Sequence, residues 1–246
     1  MYIRNRAAMF WVIIFPIGLM LVLGAIYGNQ PAGPGTAGAV TAISFITPGL
    51  IVLSLMSNGL IGNSSVMAQY RERGILRRVQ TTPLPVQHLI LARVAMQSTL
   101  SVGQAALMII VSILVFNARY DTAGLLEAIP AIVLSSIVFM SIGQAIAALV
   151  RKVDTVTVVS QAINFPLMFL GCLWIPVSVL PDWLQEVSKF LPSTLAAILV
   201  RTPMLSGIDL VALNIQPNVP LELCFAGLLA YLVASMVVSA RFFKWS

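Results

Sequence analysis

Charge is scarce in this chain: 14 Lys and Arg with 8 Asp and Glu make 9% of 246 residues. Soluble domains carry about 25% charged residues. A surface facing water cannot be covered with so few, so a soluble globular protein is excluded and much of the surface must face an apolar medium. One histidine, His88, and two cysteines, Cys172 and Cys224, are too few and too scattered for a metal cluster or a disulfide framework. Both cysteines fall in apolar segments and read as free, buried thiols. No G-x-x-x-x-G-K-[ST] phosphate loop occurs anywhere, so any ATP-driven work would need an ATPase on a separate polypeptide. No G-x-S-x-G elbow occurs either; Gly62-Asn63-Ser64-Ser65 lacks the second glycine and a histidine deep in the bilayer, which argues against an intramembrane serine protease.

Long apolar runs are what the chain has instead. Hydrophobic residues make up 59% of it, and six segments have the length of membrane spans: about 9–28, 41–68, 90–117, 125–150, 155–175 and 221–241. Roughly 20 apolar residues cross the ~30 Å hydrocarbon layer as a helix. The runs are continuous, whereas barrel strands alternate in polarity, so the expected fold is an all-α integral membrane protein with six transmembrane helices. The first run, Ala7 to Tyr27, is longer than a signal-peptide core of about 7–15 residues and lacks a small-x-small cleavage site, so it reads as a retained span.

The basic residues orient the spans. With the N-terminus inside, eleven Lys and Arg fall on the inner side and three (Arg119, Lys189 and Arg201) on the outer. The opposite orientation reverses that ratio. The positive-inside rule therefore predicts a multi-pass protein of the cytoplasmic membrane with both termini in the cytoplasm. The net charge of +6 is explained by the lipid bilayer as partner and does not call for nucleic acid. In this frame Glu127 and Glu222 lie near outer ends, and Arg93 and Asp154 near inner ends. Proton relays, voltage sensors and ion pathways place charges at mid-membrane, and none is there. A transported species would be apolar or amphipathic.

Two connections carry pattern of their own. The inner loop Gln69–Val94 places Ile75, Leu76 and Val79 among Arg71, Arg73, Arg77 and Arg78, which predicts a short amphipathic helix over about 69–82. Its apolar face would lie on lipid headgroups or dock on a cytoplasmic protein. The outer segment repeats Trp183, Leu184, Val187, Phe190 and Leu191 at helical spacing, with Pro181 and Asp182 suited to the first turn. Pro192 is expected to end that helix and Ser193 to cap a second. Each helix would be about ten residues, too short to span, so residues 178–207 read as a helical hairpin dipping into the outer leaflet.

Polar and adaptable side chains concentrate on the second and fifth spans. Phe45, Met56, Asn58, Asn164, Phe165 and Phe169 are candidates for lining a substrate path. Interhelical hydrogen bonding for the polar members, and lipid contact for the apolar ones, are the competing roles.

Two patches then resemble a known family. Glu72, Arg73, Gly74 and Leu76, followed by Thr82, Pro83 and Leu84, resemble an E-x-G-x-L…T-P-L loop, with Arg73 between Glu72 and Gly74. Pro176, Leu180, Pro181, Trp183 and Leu184, then Leu191 and Pro192, then Arg201 and Gly207, are similar to a P-x-x-x-L-P-x-W-L…P…R…G signature. Both belong to the permease subunits of type 2 ATP-binding-cassette exporters, among them bacterial multidrug and antibiotic exporters. The resemblance covers nearly the whole chain as one permease domain, residues 1–246. It implies that the inner helix, with Glu72, Arg73, Gly74, Ile75, Leu76 and Val79, is a coupling helix docking on a separate ATPase subunit that binds ATP and magnesium. It implies that the hairpin with Pro176, Pro181, Trp183, Leu184 and Pro192 closes the extracellular side. It also implies pairing with a second permease copy or a sibling, with substrate passing along the second and fifth spans. The family usually carries an amphipathic helix before the first span, and only about eight residues precede the apolar run here. A membrane scaffold or assembly factor without transport is the alternative reading.

Overall fold

The computed structural model describes residues 14–28, 30–32, 40–74, 86–150 and 152–242. Among them every regular element is helical. Helix α1 is Phe15–Tyr27, α2 is Ala42–Ser57 and α3 is Ser64–Glu72, with a π-helical stretch at Asn58–Asn63 joining the last two. Then follow α4 (Val86–Phe116), α5 (Thr122–Leu149), α6 (Val153–Leu170), a 3₁₀ turn at Val177–Val179, α7 (Asp182–Ser188), α8 (Pro192–Met204) and α9 (Leu221–Phe242). Five helices among the described residues are long and apolar enough to cross a membrane: the continuous rod Ala42–Glu72, then α4, α5, α6 and α9. The described part of the first apolar run is the 13-residue α1, shorter than a span.

The rod of α2, the π stretch and α3 is the centre of the molecule, and its N-terminal half is buried on all sides. A helix can be buried all round only if its polar groups are satisfied locally. Thr47 Oγ1 donates to Ile43 O at 2.8 Å and Ser54 Oγ to Leu50 O at 2.9 Å. These hydroxyls close on their own helix and ask nothing of their neighbours. Helix α5 crosses the rod so closely that a Cβ on Gly143 would lie 2.1 Å from Gly59 O. Small residues of this kind let membrane helices approach and gain van der Waals contact. Helices α4, α6 and α9 pack around this pair and expose much of their surface.

At 31 residues the central rod is roughly 46 Å long at 1.5 Å per residue, so it outruns the ~30 Å hydrocarbon layer. Of the expected coupling helix at 69–82, only residues 69–74 are among those described. Residues 69–72 continue this rod, and the chain turns at Arg73 and Gly74, with Gly74 at φ +65°. Glycine adopts this left-handed helix exit without penalty. Ile75, Leu76 and Val79 lie outside the described residues.

Helix α6 is short: 18 residues, roughly 27 Å. The chain just past its C-terminal end lies beside Gly49, seven residues into α2, where a Cβ would lie 1.5 Å from Leu173 O. The layer beyond the end of α6 is filled by α7 and α8. Helix α8 is buried on nearly every side, whereas α7 exposes Trp183 (69%) and Val187, and Phe190 is exposed just past its end. One detail of the sequence reading is corrected. Pro192 does not merely end α7; it opens α8 at the first helical position, where its missing N–H costs nothing. Leu191 is then the N-cap, and Ser193 sits inside the first turn, buried and without a hydrogen-bond partner.

Candidate functional site

A polar seam joins the central rod to α6. Ser57 Oγ donates to Asn164 Oδ1 at 3.4 Å, Ser64 and Ser160 share a hydrogen bond at 2.8 Å, and Ser65 and Thr157 share one at 3.1 Å. Such interhelical bonds average about 0.6 kcal/mol in membranes, so three of them give register more than strength. Thr157, Ser160 and Asn164 are spaced three and four apart, one polar stripe on an otherwise apolar helix. That stripe was readable from the sequence, although its partners were not.

The seam ends in a charged clamp. Arg71 donates to Ala147 O at 2.8 Å and to Val150 O at 2.7 Å, at the C-terminal end of α5. Its neighbour Glu72 accepts from Val153 N at 2.9 Å, at the start of α6. Each charge meets the helix end of opposite partial charge: cation on carbonyls, anion on N–H groups. Consecutive residues at the end of the central rod thereby hold both sides of the α5–α6 turn. Beside them a polar cleft of about 520 Å3 is lined by Gln69, Glu72, Arg73, Lys152 and Asp154. Sequence reasoning selected Glu72 and Arg73 and missed Arg71, whose role depends on helix ends distant in the chain.

At the opposite end Arg201 on α8 is fully buried. Its Nη2 donates to Cys172 O at 3.1 Å and to Leu173 O at 2.9 Å, just past the end of α6. The guanidinium carbon stacks 3.8 Å from the ring centroid of Phe45 on α2. Cys172 takes φ +50° there, a conformation costing roughly 1–2 kcal/mol outside glycine, which turns the two carbonyls toward the cation. Counting Arg201 as an ordinary outer-loop charge missed this; it is an interior tie between α2, α6 and α8. Below α8, Asp121 caps α5 by accepting from Ala123 N at 3.2 Å and also accepts from the Ser206 hydroxyl. Those hydrogen bonds, the Ser206 contact foremost, hold its carboxyl below the usual carboxylate range.

The candidate path residues separate into three groups. Phe45 and Met56 are core residues, closed off from any open face. Asn58 donates to Gln104 Oε1 at 3.4 Å, and Asn164 accepts from Ser57. Phe165 is 64% exposed on the open face of α6 and begins an aromatic row, 5.1 Å to Phe169 and 5.6 Å from there to Trp174. In the hairpin, Pro181 caps α7, Trp183 is exposed, and Leu184 N donates back to Pro181 O at 2.8 Å. Pro176 precedes the 3₁₀ turn. Both cysteines are free and buried, and no metal-binding group occurs among the described residues.

The family model for the ABC-2 type transporter matches residues 1–205. The chain belongs to the ABC-2 type transporter family. Its relatives are distant and somewhat longer than this chain. YvfS of Bacillus subtilis is 23% identical over 191 residues, 78% of this chain and 76% of its own. Nodulation protein J of Neorhizobium galegae is 25% identical over 194 residues, 78% of this chain and 70% of its own. The inner membrane transport permease YadH of Escherichia coli K12 is 22% identical over 237 residues, 95% of this chain and 88% of its own. As an ABC-2 permease the chain is a transport subunit of the membrane and not an enzyme, consistent with the missing phosphate loop. The matched region contains the seam, the clamp and Arg201.

Proposed function

We propose that this ABC-2 permease is the membrane-spanning subunit of an ATP-driven exporter that moves a hydrophobic or amphipathic compound out of the cell. It has six spans in the cytoplasmic membrane, both termini in the cytoplasm, and an outer hairpin re-entering the outer leaflet. A separate ATPase subunit, carrying ATP and magnesium, supplies the energy. A second permease copy or a sibling completes the pathway, which runs along the exposed face of α6 past Phe165 and Phe169.

The observation that carries this reading is the clamp at the foot of the second span. A push on the turn at Arg73 and Gly74 reaches both α5 and α6 through Arg71 and Glu72 without any flexible linker between. The adjoining charged cleft offers both signs of charge to a docking partner. Re-entry of the hairpin is supported by depth: Arg201 on α8 reaches Gly49, about 10 Å below the outer end of α2. Lipophilic cargo fits an open α6 face that is aromatic and free of mid-span charge.

The test is ATP-dependent movement of a lipophilic dye into inverted membrane vesicles containing the permease and its ATPase. Changing Glu72 and Arg73 together to alanine should leave insertion intact and reduce dye movement. Wild-type rates in the doubly substituted protein would remove the coupling role. Modification of a cysteine placed at residue 74 from outside the cell only would remove the orientation.

A further inference from the structure

A separate cavity of about 310 Å3 lies within a single chain, between α4, α5, α9 and the lower half of the central rod. It is remote from the exposed α6 face. Three methionines from three elements, Met67, Met140 and Met236, contribute to its wall. Flexible thioethers of this kind adapt to irregular apolar occupants. The volume falls within the ~300–1,000 Å3 typical of small-molecule sites and is about ten times the ~30 Å3 share of one water.

Its polar groups are few and specific. Asn63, 4% exposed, donates through Nδ2 to Met140 O at 2.7 Å, which fixes the orientation of its amide. Its Oδ1 is then left buried with no donor, and Ser239 Oγ on the same cavity is buried without a partner as well. A buried acceptor left without a donor is unfavourable, so the site suits an occupant bearing a hydroxyl hydrogen. Arg93 completes the wall, its guanidinium held 5.5 Å over the ring of Tyr70.

Depth identifies the kind of occupant. Arg93 lies seven residues from the start of α4, roughly 10 Å in, while Ile137 lies twelve from the end of α5, roughly 18 Å in. The cavity thus runs from near headgroup level toward the bilayer middle, with its cation at the shallow end. Basic pockets between helices on the cytoplasmic side select acidic headgroups. We propose that this cavity seats the headgroup end of one anionic, hydroxyl-bearing lipid of the inner leaflet per chain, its headgroup at Arg93 and Asn63 and the first part of one acyl chain along the three methionines. The leaflet assignment rests on the orientation proposed above.

The test uses the purified, delipidated full-length permease, titrated with phosphatidylglycerol or with phosphatidylcholine of the same chains and read by native mass spectrometry. One phosphatidylglycerol per chain should be retained, with at least about fivefold preference, the order expected from one basic residue near a membrane surface. Arg93→Gln should abolish the preference, and Val94→Trp, which places a large ring in the cavity, should weaken the adduct several-fold. Equal retention of both lipids would overturn the proposal, as would an unchanged adduct in Val94→Trp. Displacement of the lipid by glycerol 3-phosphate at equal concentration would overturn it too, by showing that a free phosphate suffices. Should Val94→Trp fail to fold, judged by gel filtration, the Arg93→Gln comparison decides alone. The adduct is read without the ATPase, so its loss leaves the export reading intact, and failed dye movement leaves the adduct intact.

Discussion

The guanidinium of Arg201 is sandwiched between the ring of Phe45, 3.8 Å from its centroid, and the carbonyls of Cys172 and Leu173. Guanidinium stays charged in proteins, so this is a buried cation held by a π face and by dipoles, without an acidic partner. Arg201→Ala leaves two buried carbonyls without donors and a large void. It should destabilise by about 3 kcal/mol or more, seen as a lower thermal midpoint in detergent. Phe45→Leu keeps the carbonyl bonds and loses the stacking, for about 1 kcal/mol. Equal midpoints for Arg201→Ala and wild type would show that the tie is dispensable.

Glu72 acts through an acceptor oxygen at the start of α6, and this separates two substitutions. Glu72→Gln keeps an oxygen for Val153 N–H and should retain most dye movement. Glu72→Ala removes it and should lower movement on the order of tenfold, the equivalent of about 1.4 kcal/mol. If the two variants fall together, the charge matters more than the hydrogen bond, and contact with a partner is the better account.

Glycine substitutions should sort by the space around them. A methyl on Gly143 meets Gly59 O at 2.1 Å, so Gly143→Ala must push α5 off the central rod, a change worth on the order of 2 kcal/mol. Gly103 on α4 has open space where its Cβ would go. Gly103→Ala should be neutral or stabilising by up to about 1 kcal/mol. Yields of monodisperse protein and thermal midpoints check the pair.

Asp121 predicts the response of the fold to acid. Its folded pKa is held below the usual value of about 3.9. A group shifted this way stabilises the fold above its unfolded pKa, and the contribution is lost as pH falls through the folded one. The thermal midpoint should therefore not change on this account between pH 7 and 5 and should drop only below about 4. Asp121→Asn should remove part of that drop. A wild-type transition centred near pH 6 would contradict the assignment.

The span boundaries were legible because transfer of side chains from water to lipid is a local, additive property. The second, third and fourth apolar runs and the last one each fall within a few residues of the helices that contain them. Features that depend on contact between distant segments were not. Nothing near residue 71 announces that its partners are carbonyls at 147 and 150. Arg201 looked like an outer-loop charge because burial of a cation depends on Phe45 and on the chain beyond α6. The fifth run was read to residue 175 but the helix stops at Leu170, since Gly171 and its apolar successors suit a tight packed turn as well as they suit lipid. For the candidate path, aromatic and methionine content could not distinguish Phe45 and Met56, which are interior, from Phe165, which is not.

The wide turn at Asn58–Asn63 acts as a phase shifter in the second span. A π turn accommodates one residue more than an α turn, and each residue corresponds to about 100° of rotation about the axis. The lower half of the rod is therefore rotated relative to what an unbroken α-helix would present. That rotation aims Ser64 and Ser65 at α6 and brings Arg71 and Glu72 around to the two helix ends they bridge. Removing a single residue from this stretch would rewind the rod and swing both charges away together, although no side chain of either had been altered.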